Sequence, residues 1–136
     1  MVRKVSYIRD TTRTYGAVPG QGRDRLLVFV LNEDVVDLAI ATSVSSSLVC
    51  GVIAFDYGDK VDVITDGHAE VLVDPSTVNS LVPGCDLFLS DLLPGHVSPI
   101  APSQEGRVVV SVGEMVKRIE SNIVLMNLTI GIPIVL

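Results

Sequence analysis

Residues 48–73 read LVCGVIAFDYGDKVDVITDGHAEVLV. Three strand-length segments are strung together here with turn residues between them. Leu48–Phe55 is a continuous apolar run of the kind that fills a strand buried on both faces. Gly51 inside it marks a bulge or a close approach of another backbone. Asp56-Tyr57-Gly58-Asp59 then reverses the chain. Lys60–Thr65 and His68–Val73 alternate apolar and polar residues, the period-2 pattern of a half-buried strand. The Asp66-Gly67 between them predicts a hairpin with a tight type I′ turn.

The same grammar extends in both directions. Leu26–Leu31 (LLVFVL) is a strand-length apolar run, Asn32-Glu33-Asp34 a turn, and Val35–Ile40 a second strand, although Glu33–Ala41 also admits a short helix. A Ser-rich loop covers 42–47. Downstream, Asp86–Ser90, His96–Ser98, Arg107–Lys117, Ile123–Leu128 and Ile130–Leu136 read as strands. Val82-Pro83-Gly84 and Leu93-Pro94-Gly95 read as turns, and Pro99–Gly106 as a loop. Val and Ile number 34 against 6 Ala, and Asp outnumbers Glu 11 to 5, so the composition suits pleated sheets and turns rather than helices. The fold expected is all-β, a small antiparallel β-barrel or sandwich with an extended N-terminal arm. A faint internal echo sets 33–38 beside 85–90, each followed by a Val-rich strand with a glycine, Gly51 or Gly113. That echo fits a small barrel made from two related β units.

Charge divides the chain. The 136 residues carry a net charge of −6. Residues 1–25 hold Arg3, Lys4, Arg9, Arg13, Arg23 and Arg25 against Asp10 and Asp24, whereas the remainder holds 4 basic and 14 acidic residues. The reading is a basic, Gly/Pro-punctuated arm over 1–25 and an acidic β domain over 26–136. Such a body lacks the clustered Lys and Arg that phosphate neutralisation requires, so no nucleic-acid partner is expected. The arm suits an acidic protein surface better. No membrane is expected either, because no segment is apolar over the length a span needs. Cys50 and Cys85, without a secretion signal, read as reduced, buried small hydrophobes.

The residues that carry chemistry are few. His68 and His96 each adjoin a tight turn. His96 and Ser98 alternate onto one face, but no orienting acid or oxyanion site accompanies them. Asp56, Asp59, Asp62 and Asp66 lack the alternating oxygens and closing Glu of a hard-cation loop. Cys50, Cys85 and the histidines are too diffusely spaced for a soft metal. No cofactor, metal site or enzymatic activity is therefore expected.

Two features exceed the needs of a monomer. From Ile123 to Leu136 the sequence is apolar to its last residue, with Ile130, Ile132, Ile134 and Leu136 in alternation. Such a strip either enters a core or meets another subunit, and these four residues are the expected oligomer interface. The arm, with a short alternating stretch around Val5 and Tyr7, is the second, because a strand-bearing arm can add to a partner's sheet edge.

The order of elements resembles a known family. Gly51-Val52-Ile53-Ala54, Gly58-Asp59-Lys60-Val61-Asp62-Val63, Asp66-Gly67-His68-Ala69-Glu70-Val71, Val82-Pro83-Gly84-Cys85-Asp86-Leu87-Phe88-Leu89-Ser90, Pro94-Gly95-His96-Val97-Ser98 and Val112-Gly113-Glu114-Met115-Val116 follow one another as in small tailed-bacteriophage decoration (cement) proteins and related head-fibre or tail-fibre β modules. The resemblance covers residues 48–117. Cys85 intrudes between Gly84 and Asp86, Phe88 replaces a usual Tyr, and Ser98 a usual Thr. It implies a virion structural protein on the outer capsid surface, a homotrimer clamping adjacent major capsid subunits. A capsid-binding arm would include Arg3, Lys4, Val5, Tyr7, Arg9 and Arg13. The alternative within the same resemblance is a head-fibre, tail-fibre or tail-adaptor module.

Overall fold

A computed structural model describes residues 12–136. The fold is all-β, and the described residues form twelve strands: β1 Thr12–Ala17, β2 Leu27–Asn32, β3 Val35–Leu38, β4 Val49–Asp56, β5 Lys60–Ile64, β6 Gly67–Leu72, β7 Asp86–Leu89, β8 Val97–Ser98, β9 Val108–Val109, β10 Ser111–Glu120, β11 Ile123–Leu128 and β12 Ile134–Val135. Short 3-10 helices span Ser45–Ser47 and Pro75–Ser80. Residues 33–41 make a turn and a strand, not a helix.

The first five strands close into a barrel in the order β1-β3-β2-β4-β5, antiparallel except for a parallel seam between β1 and β3. A separate five-stranded sheet, β6-β11-β10-β7-β8, is not closed by strand pairing and makes a second, half-open barrel. This is the same topology, with β6, β7, β8, β10 and β11 in the places of β1, β2, β3, β4 and β5. The registers agree residue by residue. Val28 faces Gly51 where Leu87 faces Gly113, and Ile53 faces Val63 where Met115 faces Met126. Register shifts also recur, after Val28 and before Gly113 on one side of the central strand, after Ile53 and after Met115 on the other. The parallel seam returns as a single bridge between Val73 and Val97.

Each barrel has its own interior. Tyr15, Ala17, Val28, Val36, Ile53, Val61 and Val63 fill the first. Their counterparts Val71, Val73, Leu87, Val97, Met115, Val124 and Met126 all lie in the second core, which also takes in Leu27, Val49 and Val52 from the first unit. Period-2 alternation delivers both sets, since every second residue of a strand faces inward. Along the matched strands only Phe29/Phe88, Val36/Val97, Gly51/Gly113 and Val61/Val124 are the same residue. The true match sets Leu27–Leu31 against Asp86–Ser90. The echo read from sequence placed 33–38 there, and so was out of register in its first piece and right at the glycines.

Two other expectations are corrected. Asp66-Gly67 does not close a hairpin. Both edges of β5 are taken by β4 and β1, and β6 pairs with β11, so this turn is the connection between barrels. Residues 12–25 are not an arm. β1 pairs with β5 along its whole length, from Thr12 opposite Ile64 to Gly16 opposite Lys60. Composition alone cannot reveal this, because a barrel strand with one solvated face reads as polar.

The barrels are joined by main chain as well as by packing. In the first, Gly16 N–H donates to the Asp34 carbonyl at 2.8 Å. At the matching place in the second, Leu72 N–H instead donates to Arg25 O at 3.0 Å, and Gly95 O accepts from Leu27 N–H at 2.8 Å. Residues 25–27 are thus wedged into the seam between β6 and β8. Arg25 takes φ 71° to enter it. Gly95, at φ +76°, has no room for a side chain, since a Cβ there would lie 2.8 Å from Leu26 Cβ.

Candidate docking surfaces

The basic residues assigned to the arm are distributed by the fold. Arg3, Lys4, Val5, Tyr7 and Arg9 lie outside the described residues. Arg13 stands on β1 with its guanidinium 4.9 Å from the Tyr15 ring centroid and 3.5 Å from Asp34 Oδ1, exposed to solvent. Arg25 pairs with Glu70 at 2.9 Å across the barrel junction.

Arg23 is the one that sequence reasoning misplaced. Its side chain is 11% exposed and that of its partner Asp56 is 3% exposed. Nε donates to Asp56 Oδ2 at 2.9 Å, Nη2 to Oδ1 at 3.1 Å and to Gly58 O at 2.9 Å, and Nη1 to Val18 O. Asp56 also accepts from the backbone N–H groups of Arg23 and Gly58. The hydrogen bonds from Arg23 are the main reason that the Asp56 carboxyl is lowered to about 2, and the same contact raises the guanidinium. This clamp fastens residues 18–23 onto the turn between β4 and β5, so Arg23 is a structural cation.

Several of the candidate catalytic and metal-binding side chains are engaged by neighbouring groups. His96 Nδ1 donates to Pro94 O at 2.9 Å, since a carbonyl can only accept. Ser98 Oγ donates to Ile100 O and accepts from Ile100 N–H, both at 3.0 Å. Asp62 accepts from Thr14 Oγ1 at 2.7 Å and from the Tyr57 hydroxyl at 2.8 Å, and the latter bond raises the phenol. Asp66 caps Gly67 N–H at 2.9 Å. Among the described residues no three His, Cys, Asp or Glu side chains converge on a metal position. Cys50 and Cys85 are free and half-buried, and burial pushes the Cys50 thiol up. No described helix is long and apolar enough to cross a membrane.

What the surface does offer is apolar. After β11 the chain turns back along β9. Gly131 N–H donates to Ser111 O at 2.7 Å and Leu136 N–H to Arg107 O at 2.9 Å, while Ile134 faces Val109 and Val135 faces Val108. The segment is held by its backbone and leaves its side chains outside. Ile132 is 87% exposed and Ile134 63%, with Ile130, Val135 and Leu136 also exposed. The four predicted interface residues therefore share one strip on the second barrel. A second patch lies on the first barrel, where Phe55 and Tyr57 meet edge-on at 4.7 Å and Lys60 sits 5.5 Å from the Tyr57 ring centroid. Between the barrels runs an open cleft of about 400 Å³ lined by Ile53, Ile64, Leu125, Glu70, Arg25 and His68. The carboxylate of Asp24 at that cleft is engaged by the Asp56 N–H at 2.9 Å.

No protein-family model matches the sequence, and no curated protein matches it. Among solved structures, a chain of the capsid of Myoviridae phage XM1 superposes with a TM-score of 0.63 at 14% sequence identity, over 85% of this chain and 81% of that one. The likeness is one of fold, and it takes in both barrels, since 85% of the chain exceeds the span of either.

Proposed function

We propose that this chain is a structural protein of a phage virion that decorates the head and clamps adjacent major capsid subunits. The observation that carries the reading is the likeness of fold to a chain of the phage XM1 capsid. The surface supports it. His96 and Ser98 are engaged in local turns, whereas apolar side chains stand in solvent on both halves of the fold. On this reading the protein sits on the outer capsid surface. The contact with capsid is made by the segment before β1, with Arg3, Lys4 and Arg9 meeting acidic capsid surface and Val5 and Tyr7 adding to a sheet edge. Arg13 acts from β1 at the root of that segment. Each copy needs only a modest interface, because many copies around each capsomer accumulate avidity.

Immunogold labelling of purified parent virions with an antibody against residues 26–136 tests this. Even label over the head is the expected result. Label confined to the tail or fibres would assign the protein to a fibre or adaptor instead, and unlabelled particles beside abundant protein in infected cells would remove the virion role.

A further inference from the structure

We infer that the outer edge of β12 is where a second copy of this chain adds, strand against strand. The inference rests on the head reading only for where the contact is used, since the contact itself belongs to the protein alone.

The backbone leaves that edge open. Leu136 directs its N–H to Arg107 O and accepts from Gly106 N–H at 3.0 Å, both toward the β9 side. In an antiparallel ladder successive residues point their polar groups to opposite sides. The N–H and C=O of Val135 therefore face away from β9, and among the described residues β12 has no other neighbour. Natural edges are guarded by charged side chains, bulges or covering loops. Here no charged side chain occurs from Ser121 to Leu136. Among the residues of this segment only Pro133 guards the edge, and an added ladder would begin after it.

The side chains point to a copy of the same strand as the occupant. Ile130, Ile132, Ile134 and Leu136 together expose on the order of 450 Å², within the range a monomer leaves uncovered and more than half of one partner's share of a standard interface. An uncharged strip offers no charge for a partner to match, and its best complement is another uncharged, β-branched strand. The repeat adds an independent argument. Continuing the match of β11 with β5 past its end, Ile132, Ile134 and Leu136 fall on the places of Ala69, Val71 and Val73. Those three are turned inward and buried in the second barrel, so the alternation of 132–136 is that of a strand with one face covered.

Sedimentation velocity on the purified full chain, from about 1 to 100 µM in 0.15 M and 1 M NaCl, tests the contact. The expected result is reversible association that persists in high salt. Ile132→Ser with Ile134→Ser, and separately Val135→Pro, should each raise the dissociation constant at least tenfold. The proline removes only an outward N–H, and the serines replace exposed groups, so the two variants do not depend on the same folding risk. A monomer throughout the concentration range would overturn the inference. Unchanged association of Val135→Pro would overturn the strand pairing. Head binding is scored separately by co-sedimentation with purified heads. A monomer that still binds heads would refute this contact alone, and association without head binding would refute the head reading alone.

Discussion

Gly51 and Gly113 occupy the same place in the closed barrel and in the half-open one that repeats its strand order. A Cβ on Gly51 would lie 2.3 Å from Ile64 O, and one on Gly113 would lie 2.3 Å from Asn127 O. Ile64 and Asn127 are themselves counterparts, on β5 and β11. At both sites a neighbouring strand passes so close that only glycine fits beneath it. This is one of the few identical residues at matched places of the two halves, because backbone cannot step aside as a side chain can.

Gly51→Ala and Gly113→Ala should each destabilise the protein by roughly 2–3 kcal/mol, lowering the melting temperature by on the order of 10 °C. Thermal denaturation followed by circular dichroism checks this. Gly84→Ala is a useful contrast, since nothing lies within 4 Å of a Cβ there and the cost is confined to its φ of +86°.

The Arg23–Asp56 clamp should make stability depend on acid. Asp56 ionises at about 2 in the fold against about 4 in an unfolded chain. A depressed carboxyl stabilises the fold above its unfolded value, and that contribution is lost as pH falls from about 4 through 2. Chemical denaturation at several pH values should show the loss, and Arg23→Met should flatten it. At neutral pH Arg23→Met should cost on the order of 3 kcal/mol, because it leaves a buried carboxylate unpaired. Adding Asp56→Asn should recover part of that cost.

Gly95→Ala should loosen the junction between barrels. The new methyl meets Leu26 at 2.8 Å, where residues 25–27 are held in the second seam. Hydrogen exchange is the informative readout. The amides of Leu27 and Leu72, which donate across that junction, should lose protection while Val61 and Val63 inside the first barrel keep theirs.

Truncation separates the two roles of the basic N-terminal region. Removing residues 1–11 should leave the melting transition within a few degrees of the full chain and abolish co-sedimentation with heads. Removing residues 1–25 should unfold the first barrel, because it deletes β1 and Arg23 together. Full head binding after loss of residues 1–11 would refute the proposed arm.

Much of the fold was legible in the sequence, and for a local reason. The runs 26–31, 48–55, 60–65 and 123–128 announce strands by β-branched content and alternation, and alternation also names which side chains turn inward. Neither property says which strand lies alongside. The Asp66-Gly67 turn looked like a hairpin because the two flanking strands carry the right pattern, but pattern is silent about edges already filled by β1 and β11. The duplication was hidden by the same indifference. A barrel interior asks only for apolar side chains of suitable total volume, so Tyr15 and Val71, or Ile53 and Met115, do the same job without resembling each other. The apolar strip at 130–136 could be read from alternation alone. That it is fastened to β9 by its backbone and left bare outside was settled by tertiary structure, as was the removal of Arg23 from the surface into a buried pair with a residue 33 positions away. Sequence determines local conformation through propensity and periodicity. Pairing, closure and burial depend on contacts between distant residues, and only the assembled chain decides those.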